Sequence, residues 1–191
     1  MQAETIETLI QQAATTQLSR ADVQQILDGL AGHLGLDQLK LDEDGAAELV
    51  IDDELPLTLI HLEGFPGVVV HAPMPDQPDH RGPLLRYLLQ ANMSWALTGG
   101  GAFSMGPDGE LALCRHLLLA DRDLERIDRE LATFADQATG WIEHIDLYLD
   151  AIEDLSDAEL AAPPPASAST PVGRGAAQLE DGPGPLSDRF V

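Results

Sequence analysis

The amino-acid sequence predicts an α+β fold, with helices packed on a mostly antiparallel sheet. Three observations lead there. Apolar residues recur at helical spacing in three separate stretches, near 19–34, 83–96 and 124–152. Short apolar runs bounded by turn residues lie between the first two stretches. Two more such runs separate the second helical stretch from the third. The predicted order is helix, three or four strands, helix, two strands, long helix.

Each element has a local reason. Residues 1–18 carry a weak helical pattern (Ile6, Leu9, Ile10, Ala13, Ala14), which suits a short extra helix or a frayed arm. Ser19 can cap the first clear helix, with Asp22 in a capping-box-like position. Val23, Ile26, Leu27, Leu30 and Leu34 then line one face, and Gly35 is a plausible stop. Leu39 and Leu41, the turn Asp44-Gly45 and Leu49 to Ile51 read as a hairpin. Asp52-Asp53-Glu54 makes the next turn and Leu57 to Leu62 the next strand. Phe65-Pro66-Gly67 turns the chain into a third strand, Val68 to Ala72, rich in β-branched residues.

A proline-spaced loop, Met74 to Pro83, precedes a helix from about Pro83 to Ala96, with Pro83 in its first turn. Leu85, Leu88, Leu89, Asn92 and Met93 lie along one side; Leu84, Tyr87, Ala91 and Trp95 cover another. A helix apolar nearly all round must be buried on two sides, and in a small domain one of them is expected to be a subunit contact. Gly99-Gly100-Gly101 opens a second hairpin, with Ala102 to Met105 and Leu111 to Leu119 as its strands and Pro107-Asp108-Gly109 as its turn. Asp121 or Asp123 can cap the last helix. There Leu124, Ile127, Leu131, Phe134, Ala138, Trp141, Ile145, Tyr148 and Ile152 keep a three-four rhythm. At 1.5 Å per residue that helix is roughly 45 Å long. Gly140 within it suggests a bend or a close backbone contact.

From Ala161 to Val191 the composition changes. Six of the thirteen prolines fall there, with little that could form a core, so a disordered tail is expected. Leu186 and Phe190 are its candidate docking anchors. The expected organisation is an arm or short helix at 1–18, an α+β domain at 19–160 and a tail at 161–191.

Charge narrows the function. Ten Lys plus Arg against 33 Asp plus Glu leave a net charge of 10 − 33 = −23. Such a chain lacks the basic stripe that neutralises phosphates, so nucleic acid and anionic membranes are not expected partners. The single Cys114 allows no intramolecular disulfide and fits a reducing compartment. No apolar run approaches the ~18 residues of a membrane-spanning helix. The N-terminus carries acids where a signal peptide needs bases. A cytoplasmic protein is expected.

Catalytic motifs are weak. The glycine-rich stretch from Gly99 has Ser104 where a dinucleotide fingerprint needs its third glycine, and lacks the Gly-Lys of a phosphate loop. Ser104 lies in a predicted strand that turns at Pro107-Asp108-Gly109 into another strand, whereas a nucleophile elbow needs a helix after it. The histidines (33, 61, 71, 80, 116, 144) are dispersed. His61 and His71 could face each other across a hairpin with His116 beside them, but no metal-ligand spacing supports a site. Cys114 reads as a small buried hydrophobe. The acids Glu143, Asp146, Asp150, Glu153, Asp154, Asp157 and Glu159 read either as a solvated face that serves solubility or as a surface that repels wrong partners and attracts basic ones. No catalytic residue, metal or cofactor is expected.

One set of residues has a family likeness. Leu88-Leu89-Gln90-Ala91-Asn92-Met93, followed by Gly99 to Gly109 and Glu110-Leu111-Ala112-Leu113, resembles the type III secretion chaperones of the CesT (Tir chaperone) family. There a helix with a Leu-Leu-x-x-Asn pattern leads to a hairpin, and a long helix closing with a Trp follows. Leu124, Leu131, Phe134, Ala138 and Trp141 fit that helix. The resemblance covers about residues 19–150. It implies a compact cytoplasmic α+β homodimer that holds the N-terminal region of secreted effectors in an extended state, without nucleotide. The secretion-system ATPase is a further candidate partner. The resemblance places the dimer contact on the second helix, at Leu85, Leu88, Leu89, Asn92 and Met93. It places cargo on apolar patches of the first helix and sheet, at Val23, Ile26, Leu27, Leu30, Leu59 and His61. The arm and the proline-rich tail exceed the usual family length, as would suit a chaperone of several cargoes. A binding or regulatory domain of the same fold, with no secretion role, is the alternative.

Overall fold

A computed structural model describes residues 17–75, 81–119 and 121–152. Among them are three α-helices and five strands. In chain order they are α1 (Arg20–Leu34), β1 (Ala46–Ile51), β2 (Leu55–His61), β3 (Gly67–Pro73), α2 (Arg81–Asn92), β4 (Ala102–Met105), β5 (Leu111–Leu118) and α3 (Leu124–Ile152). The strand order is β1-β2-β3-β5-β4, an antiparallel sheet with β1 and β4 at its edges. The expected α+β layout is therefore present. Residues 1–16 and the tail after 152 lie outside the described residues, as do His80 and the acids from Glu153 onward.

The described residues fall into two compact units. The first comprises 17–71 with His116–Leu131. The second comprises Ala72–Arg115 and the remainder of α3.

In the first unit α1 starts as its sequence requires. The Ser19 hydroxyl accepts from the Asp22 N–H, and the Asp22 carboxylate accepts from the Ser19 N–H, so both ends of a capping box are made. Gly35 ends the helix in the left-handed region, at φ +73°. Val23, Ile26, Leu27, Leu30 and Leu34 are buried as one face. β1 buries Ala47, Leu49 and Ile51 and exposes Glu48 and Val50, the period of a half-buried strand. At Gly67 the chain runs so close to β5 that a Cβ would lie 2.0 Å from the Leu117 carbonyl oxygen. Only glycine fits there.

Two expectations on this unit need correction. Leu39 and Leu41 are buried but are not a strand. The carboxamide of Gln24 on α1 takes the place of a strand partner, donating to the Leu39 carbonyl (3.0 Å) and accepting from the Leu41 N–H (2.8 Å). β1 pairs with β2 across the expected turn at Asp52-Asp53-Glu54, in a register from Ala46↔Ile60 to Ile51↔Leu55. His61 and His71 do not face each other, since His61 pairs with Val68 and His71 with Thr58.

In the second unit α2 buries Leu84, Leu88 and Ala91. It ends at Asn92, four residues before the expected end, and a series of turns occupies 93–100. The α3 portion buries Phe134, Ala138, Ile145 and Leu149. An aromatic group joins this portion to α2 and β4. Tyr87 stacks on Tyr148 with centroids 4.6 Å apart, and Phe103 meets Trp141 edge-on at 4.8 Å. The Trp141 indole N–H donates to the Leu97 carbonyl (3.1 Å), which anchors the turns after α2. Gly140 is exposed with open space where a Cβ would stand, and α3 stays helical through it. Of the two expectations for Gly140, a bend or a close backbone contact, no such contact is made among the described residues.

Candidate functional site

Extended segments bind at sheet edges, so the outward backbone groups of β1 and β4 decide what this sheet can receive. At β1 the His61 N–H donates to the Gly45 carbonyl (2.8 Å). With the β1–β2 register, this turns the backbone of Ala47, Leu49 and Ile51 toward β2 and that of Ala46, Glu48 and Val50 outward. Asp42 occupies the first outward position. Its N–H donates to the Ala46 carbonyl (2.8 Å) and its carboxylate accepts from the Ala46 N–H (2.9 Å). Arg20 braces that turn by donating to the carbonyls of Asp42 and Glu43. Among the described residues, the outward groups left on β1 are those of Glu48 and Val50.

β4 is arranged differently. The Met74 N–H donates to the Leu111 carbonyl (2.8 Å), and the register pairs Phe103 with Leu113 and Ser104 with Ala112. Phe103 therefore turns its backbone outward. The Asn92 side chain meets both of its groups, accepting from the N–H (2.7 Å) and donating to the carbonyl (3.0 Å). The Gly101 N–H is held by the Thr98 carbonyl (2.9 Å). The outer backbone of β4 is thus closed at Gly101 and Phe103 by its own chain.

The expected cargo residues lie elsewhere than on a surface. Val23, Leu27, Leu30 and Leu59 are 0% exposed and Ile26 is 4% exposed. They form core of the first unit, so among the described residues the α1 face is covered by its own chain. The physical reason is that α1 has one apolar stripe and the domain needs it for its own burial. His61 is half-buried, with its Nδ1 buried and lacking a hydrogen-bond partner. The apolar side chains that do reach solvent in this unit are Val50, Leu62 and Leu118.

The expected dimer residues divide. Leu88 is core, Leu85 is half-buried, and Asn92 binds within its own chain. Leu89 and Met93 are exposed, at 65% and 88%. Trp95 (75%), Met105 and Leu147 add to the exposed apolar surface of the second unit. Sequence reasoning put Trp95 on the buried side of a longer helix and overlooked Val50. The alternation Leu49-Val50-Ile51 held the signal for Val50, because its neighbours point inward.

The Ser104 hydroxyl touches the Cys114 thiol (3.0 Å), and burial raises that thiol's pKa, which keeps it protonated. His116 packs against the Phe65 ring (4.8 Å). Among the described residues no three His, Cys, Asp or Glu side chains gather as a metal site, and no helix is long and apolar enough to cross a membrane. The buried Asp128 carboxylate lies 3.0 Å from His33 Nε2, so its burial is compensated by a partner.

Comparison with known proteins agrees with this geometry. Residues 25–142 match the Tir chaperone protein (CesT) family. The transcriptional anti-antiactivator ExsC of Pseudomonas aeruginosa is 29% identical over 122 residues, which span 62% of this chain and 82% of ExsC. A chain in the crystal structure of the ExsC–ExsE complex superposes with a TM-score of 0.54 at 26% identity, covering 65% of this chain and 94% of that one. A chain of the HopA1–SchA chaperone–effector complex has the same TM-score at 18% identity, covering 66% and 98% of the two chains, and shares the fold.

Proposed function

The chain belongs to the Tir chaperone (CesT) family, and from that premise we propose that it is an effector-binding chaperone of type III secretion. It holds the N-terminal region of a secreted effector extended in the bacterial cytoplasm, without nucleotide. The family match over residues 25–142 carries this reading. The ExsC–ExsE complex supports it, since it contains a chain of this fold together with another protein. The outer edge of β1, which no strand covers among the described residues, and exposed Val50 suit an extended segment better than a folded one. The net charge of −23 suits a basic cargo.

The working form in this reading is a homodimer. Leu89 on the exposed side of α2 and Met93 directly after the helix, with half-buried Leu85, are the residues proposed to meet the second copy. The secretion-system ATPase is a further proposed partner.

The test is co-expression of the tagged chain with the effectors of its own host, followed by mass spectrometry of what it retains. Retention of an effector through its N-terminal region, with loss of that effector's secretion when the chain is deleted, is the expected outcome. Unaltered secretion of every effector in the deletion strain would sink the reading. The name of the relative ExsC favours a second, regulatory reading in which the partner controls transcription. In that case deletion changes transcript levels and leaves effector stability intact.

A further inference from the structure

We propose that residues 185–191 of this chain cover the outward sheet face of its own first unit, at Ile60, Leu62, Phe65, Val69, His116 and Leu118, so that any other partner of that face must displace them. The proposal goes beyond the chaperone reading and does not depend on it.

The face follows from strand alternation. Leu59, Val68, Val70 and Leu117 are buried in the core, so their neighbours Ile60, Val69, His116 and Leu118 point the other way. Ile60 and Val69 are register partners across β2 and β3. The Leu119 N–H donates to the Pro66 carbonyl (3.0 Å), which sets β5 beside β3 and brings Leu118 next to Gly67. The Phe65 ring lies against the His116 ring, with centroids 4.8 Å apart. Leu62 and Leu118 remain 47% and 51% exposed. Large apolar side chains that adjoin one another in water mark an interaction surface.

Composition picks the occupant. Among residues 153–191 Phe190 is the one aromatic side chain, and Leu186, Phe190 and Val191 gather close together. Charge selects the same segment. Residues 153–160 hold Glu153, Asp154, Asp157 and Glu159 and no base, and residues 1–16 hold Glu4 and Glu7 and no Lys or Arg. Residues 182–191 hold Asp188 and Arg189 and are neutral. In a chain of net charge −23 a neutral segment meets the least repulsion. Arg189, next to Phe190, also suits Glu63, which is exposed beside Leu62 and makes no ion pair among the described residues.

Reach allows the contact. Residues 153–185 link Ile152 to Leu186, and a chain of that length spans roughly 30 Å on average, about the diameter of a small domain. Tethering raises the local concentration to about the millimolar range, so weak contacts suffice to fill the face. Pro183 and Pro185 lower the conformational freedom that docking removes.

The experiment uses the full chain, with its Ile, Leu and Val methyl groups followed by NMR. NOEs from the Phe190 ring to the Leu62 and Leu118 methyls are expected. A Leu186→Ser, Phe190→Ser double variant is expected to lose them and to shift those methyls. A synthetic peptide of residues 182–191 is expected to bind that variant at the same methyls, at least roughly tenfold more tightly than it binds the wild type, whose face is already filled. Adding Leu62→Ser and Leu118→Ser to the variant is expected to abolish peptide binding.

Absence of any contact from Phe190 to Leu62 or Leu118 in the wild type overturns the proposal, whether or not the variants fold. Equal affinity of the peptide for the wild type and the tail variant also overturns it. Contacts seen only between differently labelled copies in a mixed sample assign the face to a second copy, and contacts from Ile6 or Leu9 assign it to residues 1–16; either result overturns the proposal. A verified effector that shifts the Leu62 and Leu118 methyls yet binds the wild type and the tail variant equally refutes the displacement and leaves the chaperone reading intact. Failure of the wild type to hold any effector refutes the chaperone reading and leaves the Phe190 contacts to decide the proposal.

Discussion

Asn92 and Phe103 are joined at two points, the Asn92 carboxamide accepting from the Phe103 N–H at 2.7 Å and donating to its carbonyl at 3.0 Å. Asn92 thereby serves as the outer partner of an edge strand whose backbone would otherwise be open. Asn92→Ala removes both bonds and is expected to cost about 1–3 kcal/mol. Chemical denaturation with an unchanged slope but a lower midpoint would register that loss. Asn92→Asp keeps an acceptor, loses the donor and sets a carboxylate against the Phe103 carbonyl, so it should be no more stable than the alanine variant.

Core and surface on the first unit are separable by substitution. Leu27 is fully buried, so Leu27→Ala should cost about 2–5 kcal/mol, and Leu27→Asp should leave no cooperative unfolding transition. Val50→Asp lies on the exposed face of β1 and should melt within a few degrees of the wild type. A folded, stable Leu27→Asp protein would mean that the α1 face is a groove after all.

The proposed homodimer makes a contrast between neighbours on α2. Leu89→Asp with Met93→Asp places charge on exposed positions and should yield a folded monomer by light scattering at micromolar concentration. Leu88→Asp places charge in the chain's own core and should unfold it. A wild type that scatters as a stable monomer rules out the dimer.

Acid should weaken the fold through two exposed carboxylates. Hydrogen bonds from Ser19 hold the Asp22 pKa below its ordinary 3.8, with Arg122 adding to the effect. Hydrogen bonds from Arg126 do the same for Asp121. Both folded-state values are depressed. Their contribution is therefore present above the unfolded value near 3.8 and disappears as pH falls through the folded values. Asp22→Asn should flatten the stability profile below about pH 4 and leave its slope near neutrality unchanged. An acid limb identical to that of the wild type would contradict this.

Gly67 offers a steric test. A Cβ there would strike the Leu117 carbonyl oxygen at 2.0 Å, and backbone cannot yield as a flexible side chain can. Gly67→Ala is expected to cost at least about 1–3 kcal/mol, the range of overpacked cores. Gly64→Ala, with open space around it but φ at +81°, should cost only the strain of its backbone.

Local chemistry made much of the fold legible in the sequence. The capping pair Ser19 and Asp22, the stop at Gly35 and the long rhythm of α3 needed no distant partner to be read, because caps and helical periodicity are satisfied within a few residues. The same holds for β4 and β5 around Pro107-Asp108-Gly109. What required the tertiary structure were the backbone groups met from far along the chain. Gln24 serves Leu39 and Leu41, which read as a strand because they are apolar and closely spaced. Asn92, placed by sequence on a subunit contact, binds Phe103 of its own chain. The face formed by Val23, Ile26, Leu27 and Leu30 was legible as apolar but not as core. A hydrophobic stripe has the same spacing whether its own sheet or a visiting segment covers it. Burial is a property of what packs against a residue, and only the folded chain decides that.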